Sequence, residues 1–228
     1  VNDIEVALAV AVPVVSVVWL SFRAISICER ANEADWGGPW LNRLDGLIRI
    51  YCRRFHRLAS KPLVLPARGG VLLASNHVSG LDPLLLIAAS RRPLRFMIAR
   101  EEYEPWWFKW LFRAIGCIPV DRSRDPRKAL YAARRAIDAG EVVALFPHGK
   151  IHLDHLPPVP LRRGIVLLAQ MTGAPIVPVR IDGVRGEGQT IPSLWMRSRA
   201  RLDVRDLLHC EGRTPAQCLE QLSRALQP

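Results

Sequence analysis

Apolar and polar positions follow three different rhythms along this chain of 228 residues. Residues 6–22 form an uncharged, valine-rich run of 17 positions. As a helix it spans roughly 25 Å, a little short of the roughly 30 Å hydrocarbon core of a bilayer. Pro13 in its middle predicts a kink or a re-entrant turn. After a polar, glycine-containing break over residues 32–39, residues 40–60 carry Leu44, Leu47, Ile48, Tyr51, Phe55 and Leu58 at helical spacing. Arg43, Arg49, Arg53, Arg54 and Arg57 occupy the remaining surface, which predicts a basic amphipathic helix at an anionic membrane interface.

From residue 63 the rhythm changes again. Short apolar runs at 71–75, 95–99, 117–120, 142–146, 176–181 and 200–204 predict strands. Amphipathic runs at 83–90, 105–115, 126–139, 164–172 and 215–225 predict helices, several of them opening at or just after proline. The alternation predicts an α/β fold with a mixed, largely parallel central sheet flanked by helices. The chain thus divides into a membrane-associated two-helix segment, residues 1–60, and an α/β domain, residues 61–228.

Composition narrows the partners. The formal net charge is +11 and the isoelectric point about 10.3, and only Lys61, Lys109, Lys128 and Lys150 are lysines. Such a balance favours anionic partners, with arginine suited to bidentate phosphate contacts. A nucleic-acid role lacks a recognised motif and fits poorly with the apolar run. Asp3 and Glu5 precede that run and Arg23 and Arg30 follow it, the arrangement of an uncleaved anchor with the bulk of the chain on the cytoplasmic side, in a bacterium the inner membrane. The five cysteines are odd in number, widely spaced and without a CxxC pair, which argues against a disulfide framework or a cysteine zinc site and for a reducing environment. The aromatic segment with Trp106, Trp107 and Trp110 beside Lys109 and Arg113 suits a headgroup region or the wall of an acyl-chain tunnel.

Four blocks carry chemistry. The run after the first predicted strand, Asn76-His77-Val78-Ser79-Gly80-Leu81-Asp82, places His77 in a loop and Asp82 as the N-cap of the next helix. Across a loop that folds back, the carboxylate fixes the imidazole tautomer while the other ring nitrogen takes a proton from a hydroxyl. Then come Gly116 to Arg122, the run Phe146-Pro147-His148-Gly149-Lys150, and the strand Ile176-Val177-Pro178-Val179. In order and spacing these blocks, over residues 63–185, resemble the glycerolipid acyltransferase family that includes 1-acylglycerol-3-phosphate acyltransferases, with its NHxxxxD, G-x-x-x-x-x-R, FPEG and VPV-type motifs. The resemblance implies direct transfer of a fatty acyl group from acyl-CoA or acyl-carrier protein, as co-substrate, to a lysophospholipid hydroxyl, with no metal and no other cofactor. It makes His77 the base, Asp82 its orienting carboxylate, and Arg122 the contact to the acceptor phosphate. Gly149 with Pro147, His148 and Lys150 shapes the acceptor site, and Asn76 and Ser79 are counted with the substrate-binding residues. The chain departs from the motif where His148 replaces the FPEG glutamate and Lys150 the usual Ser or Thr. Arg163, beside Gly164 at a predicted helix start, adds an anion contact, and Arg124 is a further basic residue near Arg122. His148, His152 and His155 with Asp154 are too loosely spaced for a zinc motif and predict a polar loop. A lipid hydrolase using Ser79 is the competing enzyme class, without a G-x-S-x-G elbow to support it.

Overall fold

The structure, a computed structural model, describes residues 3–59, 61–123 and 125–228, with side chains from residue 12 onward other than those of Trp107 and Phe108. Arg124 therefore lies outside the described residues.

Helix α1, Asp3–Ala31, continues well past the apolar run and carries Pro13 without ending there. In its second half the polar side chains bond locally: Ser21 Oγ donates to the carbonyl of Val17, and Arg30 donates to Ser26 Oγ. At 29 residues the helix is roughly 44 Å long, enough to cross a bilayer. Within it Val12–Ala31 is long and apolar enough for a membrane span, and none of that stretch is buried.

Helix α2, Pro39–Ile50, runs on into a π-helical turn, Tyr51–Phe55. It differs from the sequence expectation in two ways. Leu41, Leu44 and Ile48 line a cavity, whereas Leu47 is exposed, so most of the apolar stripe faces into the domain. Arg49, expected on the basic outer surface, is fully buried: Nε lies 2.5 Å from Asp45 Oδ2, and the guanidinium also donates to the carbonyls of Ala88 and Ser90. Asp45 accepts in addition from the Glu33 amide and from Trp36 Nε1. A buried charge persists only when so fully partnered. This network ties α2 to the body of the domain, so packing does not divide the chain at residue 60.

The sheet contains six strands in the order β3-β2-β4-β1-β5-β6: β1 Val71–Ser75, β2 Leu94–Ala99, β3 Ile118–Val120, β4 Val142–Leu145, β5 Ile176–Asp182 and β6 Arg201–Val204. All neighbours run parallel except β5 and β6. Strand β1 is central, in register with β4 (Leu73↔Ala144) and β5 (Leu73↔Val177). Its alternation divides the core. Val71 and Leu73 join α3, Asp82–Ala89, and the π-turn on one face. Leu72 and Ala74 join α6, Pro126–Asp138, α7, Gly164–Thr172, and α9, Pro215–Leu226, on the other. Two short helices, α4 Arg100–Tyr103 and α5 Trp106–Ala114, lead from β2 to β3.

Cys210 and Cys218 are joined as a disulfide with Cα atoms 5.6 Å apart, a pairing the sequence did not suggest. Helix α9 turns back onto the loop that precedes it, and this brings the two positions together. The other cysteines are free, and burial pushes the thiols of Cys52 and Cys117 up to about 12.

Candidate active site

In parallel sheets ligands gather at the carboxyl ends of strands, and here β1 and β4 are neighbours whose ends carry the two richest sequence blocks. The β1 loop folds back so that His77 Nδ1 lies 2.8 Å from Asp82 Oδ2. Asp82 is not the helix cap expected. It is the first residue of α3, the cap position is Leu81, and no side chain caps the helix. The carboxylate is turned onto the loop instead, accepting from the amides of Val78 at 2.7 Å and Ser79 at 2.9 Å and from Ser79 Oγ at 2.8 Å. Since a carboxylate only accepts, Nδ1 carries a ring proton, and in the neutral imidazole that leaves Nε2 as the acceptor. Asp82 is fully buried, His77 keeps 19% of its side chain exposed, and the ring is stacked on Phe146 with centroids 4.0 Å apart.

His77 borders a cavity of about 950 Å³. Part of its wall is cationic, from Arg122, Lys150 and Arg162, and part is apolar, from α2, α3, β2 and α5, with Asp45 and Glu102 as its acids. Arg122 donates to the carbonyl of Gly149, and Gly149 itself stands at φ +73°, where an added Cβ would lie 2.3 Å from Arg162 Nε. Both arginines thus converge on a position where a side chain is excluded.

The structure sorts the other residues singled out in the sequence. Pro147, Gly149 and Lys150 line the cavity. Asn76 does not reach it. It is buried with its amide exchanging bonds with the backbone of Ile181, so it clamps the β1 end to β5. Ser79 is fully buried, donating to Asp82 and accepting from the Leu81 amide, and therefore braces the carboxylate instead of meeting substrate or attacking one. That removes the ground for a serine nucleophile. Arg163 is exposed outside the cavity, and its neighbour Arg162 takes the place expected of it. His148 also lies outside the lining. Its ring stacks on His152 with centroids 4.9 Å apart, and its buried Nδ1 has no partner. Burial, then His152, holds its pKa below the ordinary imidazole value, with His77 adding to the effect and Asp154 opposing it. Asp154 pairs with the buried Arg180, and His155 is exposed, so the four polar residues of this loop do not converge. Sequence reasoning missed Phe146 as the platform under His77 and the cavity wall supplied by α2. Phe146 was visible as the motif's first residue, whereas nothing in the heptad-like pattern of α2 says which partner its stripe will meet.

Residues 58–182 match the family model described as Acyltransferase, so the chain belongs to that family. The 1-acyl-sn-glycerol-3-phosphate acyltransferase of Bacillus subtilis is 27% identical over 146 residues, which cover 64% of this chain and 70% of the relative. The probable 1-acyl-sn-glycerol-3-phosphate acyltransferase of Mycoplasma pneumoniae is 32% identical over 123 residues, 51% of this chain and 46% of its own length. This chain therefore spans about half of the Mycoplasma relative. Among solved structures, the 1-acyl-sn-glycerophosphate (LPA) acyltransferase PlsC from Thermotoga maritima superposes with a TM-score of 0.63 at 16% identity, covering 83% of this chain and 78% of that one, a likeness of fold.

Proposed function

We propose that the chain transfers a fatty acyl group from a thioester, acyl-CoA or acyl-carrier protein, to the free hydroxyl of 1-acylglycerol-3-phosphate, forming phosphatidic acid at a membrane surface. The observation that carries this reading is one cavity bordered by an imidazole–carboxylate pair, three basic side chains and an extended apolar wall. His77 Nε2 takes the proton of the acceptor hydroxyl as its oxygen attacks the thioester carbonyl. Collapse of the tetrahedral intermediate breaks the carbon–sulfur bond, and the imidazolium returns its proton to the departing thiolate. The thioester supplies the driving force, so no further cofactor enters. Arg122, Lys150 and Arg162 hold the acceptor phosphate, and the apolar wall takes an acyl chain. The names of the relatives support this acceptor, and the exposed apolar surface of α1 supports attachment to a membrane. The acids before the apolar run and the arginines after it, Arg23 and Arg30, support an active domain on the cytoplasmic side.

The test is purified full chain with a labelled long-chain acyl thioester and a panel of lysolipids. Labelled phosphatidic acid should form from the phosphate-bearing acceptor in clear preference to a monoacylglycerol of the same chain. Equal transfer to both acceptors would sink the phosphate reading.

A further inference from the structure

The connection between β5 and β6, residues 183–200, lies beyond the family-matched residues, yet it packs directly against the loop of His77. Gly188 donates its amide to Val78 at 2.8 Å, and the Gly80 amide donates to Gln189 at 3.0 Å. A side chain at Gly80 would meet the Thr190 carbonyl at 2.2 Å, so the two backbones touch, and Thr190 itself lines the cavity. On its other side the connection is fastened to the chain that follows α2. The carbonyl of Leu194 accepts from the Tyr51 hydroxyl and lies 3.2 Å from His56 Nε2. Ala200 exchanges backbone bonds with His56 and Ala59 at 3.1 and 3.0 Å.

Its inner side is therefore settled: Val184, Ser193 and Ser198 are buried. Its outer side is not. Ile191 is 66% exposed, Trp195 77% and Met196 40%, on and beside the single-turn helix α8, Pro192–Trp195. Arg185, Arg197 and Arg199 are exposed around them, and the Ala200 pairing brings up the exposed Arg54 and Arg57. None of these five arginines has an ion pair among the described residues, and Glu187 is the exposed acid of the connection. Exposed indole and aliphatic side chains ringed by guanidinium groups suit the boundary between acyl chains and anionic headgroups. An acidic carrier protein would account for the arginines but leave the three apolar side chains without a role, and so lipid is the better occupant. The patch also adjoins the π-turn that continues α2, which packs against the exposed apolar helix α1.

We propose that residues 191–197 form a second membrane contact, dipping Ile191, Trp195 and Met196 into an anionic lipid surface beside the cavity. A lysolipid acceptor then passes from the bilayer toward His77 without crossing water, a consequence that rests on the acceptor reading above.

Hydrogen–deuterium exchange of the full chain tests the contact, with vesicles of phosphatidylcholine, vesicles that also contain phosphatidylglycerol, and acyl-carrier protein as separate arms. The amides of 191–197 should exchange more slowly on the anionic vesicles and not with the carrier protein. Unchanged exchange on anionic vesicles, or protection by the carrier protein in their place, overturns the proposal. The double variant Ile191→Ser/Trp195→Ser, altered only at exposed positions, should transfer to a vesicle-embedded acceptor about tenfold more slowly but to a monomeric short-chain acceptor at the unaltered rate. An equal loss with both acceptors also overturns it. Exchange is read without turnover, so a failure of the acyl-transfer reading would be seen separately, as absence of product from the unaltered chain with either acceptor.

Discussion

Two buried carboxylates, Asp82 and Asp45, each hold a basic side chain from a residue four or five positions away, and they serve opposite ends. Asp82 grips one nitrogen of an imidazole that borders the cavity and stays partly exposed. Asp45 grips a fully buried guanidinium whose remaining protons go to the carbonyls of Ala88 and Ser90 and to Glu33. A pair with one open edge can pass a proton in and out. A guanidinium with no open edge can only hold elements together, and removing either member of its pair leaves a buried charge short of its partner. Both sites read alike in the chain as an acid near a base, and accessibility of the partner separates chemistry from scaffold.

Substitutions can sharpen or break this contrast. The largest effect belongs to His77→Ala, which should lower acyl transfer about 10³-fold while leaving the urea unfolding midpoint and vesicle association unchanged. Arg49→Ala should do the reverse, costing about 3–5 kcal/mol of stability in urea titration, with activity surviving in the fraction still folded. A stable but inactive Arg49→Ala would erase the distinction. Arg122→Ala should raise the acceptor KM about tenfold with little change in kcat, and an unaltered KM would remove Arg122 from the phosphate contact. The smallest effect is on pH. Burial holds His56 and His148 neutral, below the ordinary imidazole value of 6.5. The unfolded chain then binds more protons than the fold on the acid side. Their contribution to stability is complete above about pH 6.5 and is lost as pH falls through the depressed values. Thermal melts should drop on that acid limb, and His148→Gln should flatten it. A drop of the same size in that variant would assign the sensitivity elsewhere.

Local pattern made much of this molecule legible. The six strands and five helices expected from residue 63 onward all form, with no end shifted by more than one residue, because binary periodicity and prolines at helix starts act within a few positions of where they are read. The pairing of His77 with Asp82 was likewise readable, since a loop of five positions is short enough to close on itself. What failed were statements about facing. Arg49 was expected on the basic outer surface and instead donates to the end of α3, and Leu44 and Ile48 of the apolar stripe line the cavity, since an amphipathic helix specifies that it has an apolar side and not what will cover it. Asn76 and Ser79 share a loop with His77 but are spent on the framework. Trp195 drew no notice in the chain, because its meaning comes from Tyr51, 144 positions earlier, which anchors the turn beneath it.

By itself, then, the order of residues determined the α/β layering, the run of strands and helices, and the four blocks by which the chain resembles its family. Tertiary structure alone decided which polar groups open on the cavity and which are sealed, that Arg162 stands where Arg163 was expected, and that His148 turns toward His152. The physical reason is range. Propensity, capping and loop closure are settled among neighbours in the chain, whereas burial is settled by segments far apart that meet only once the sheet has formed.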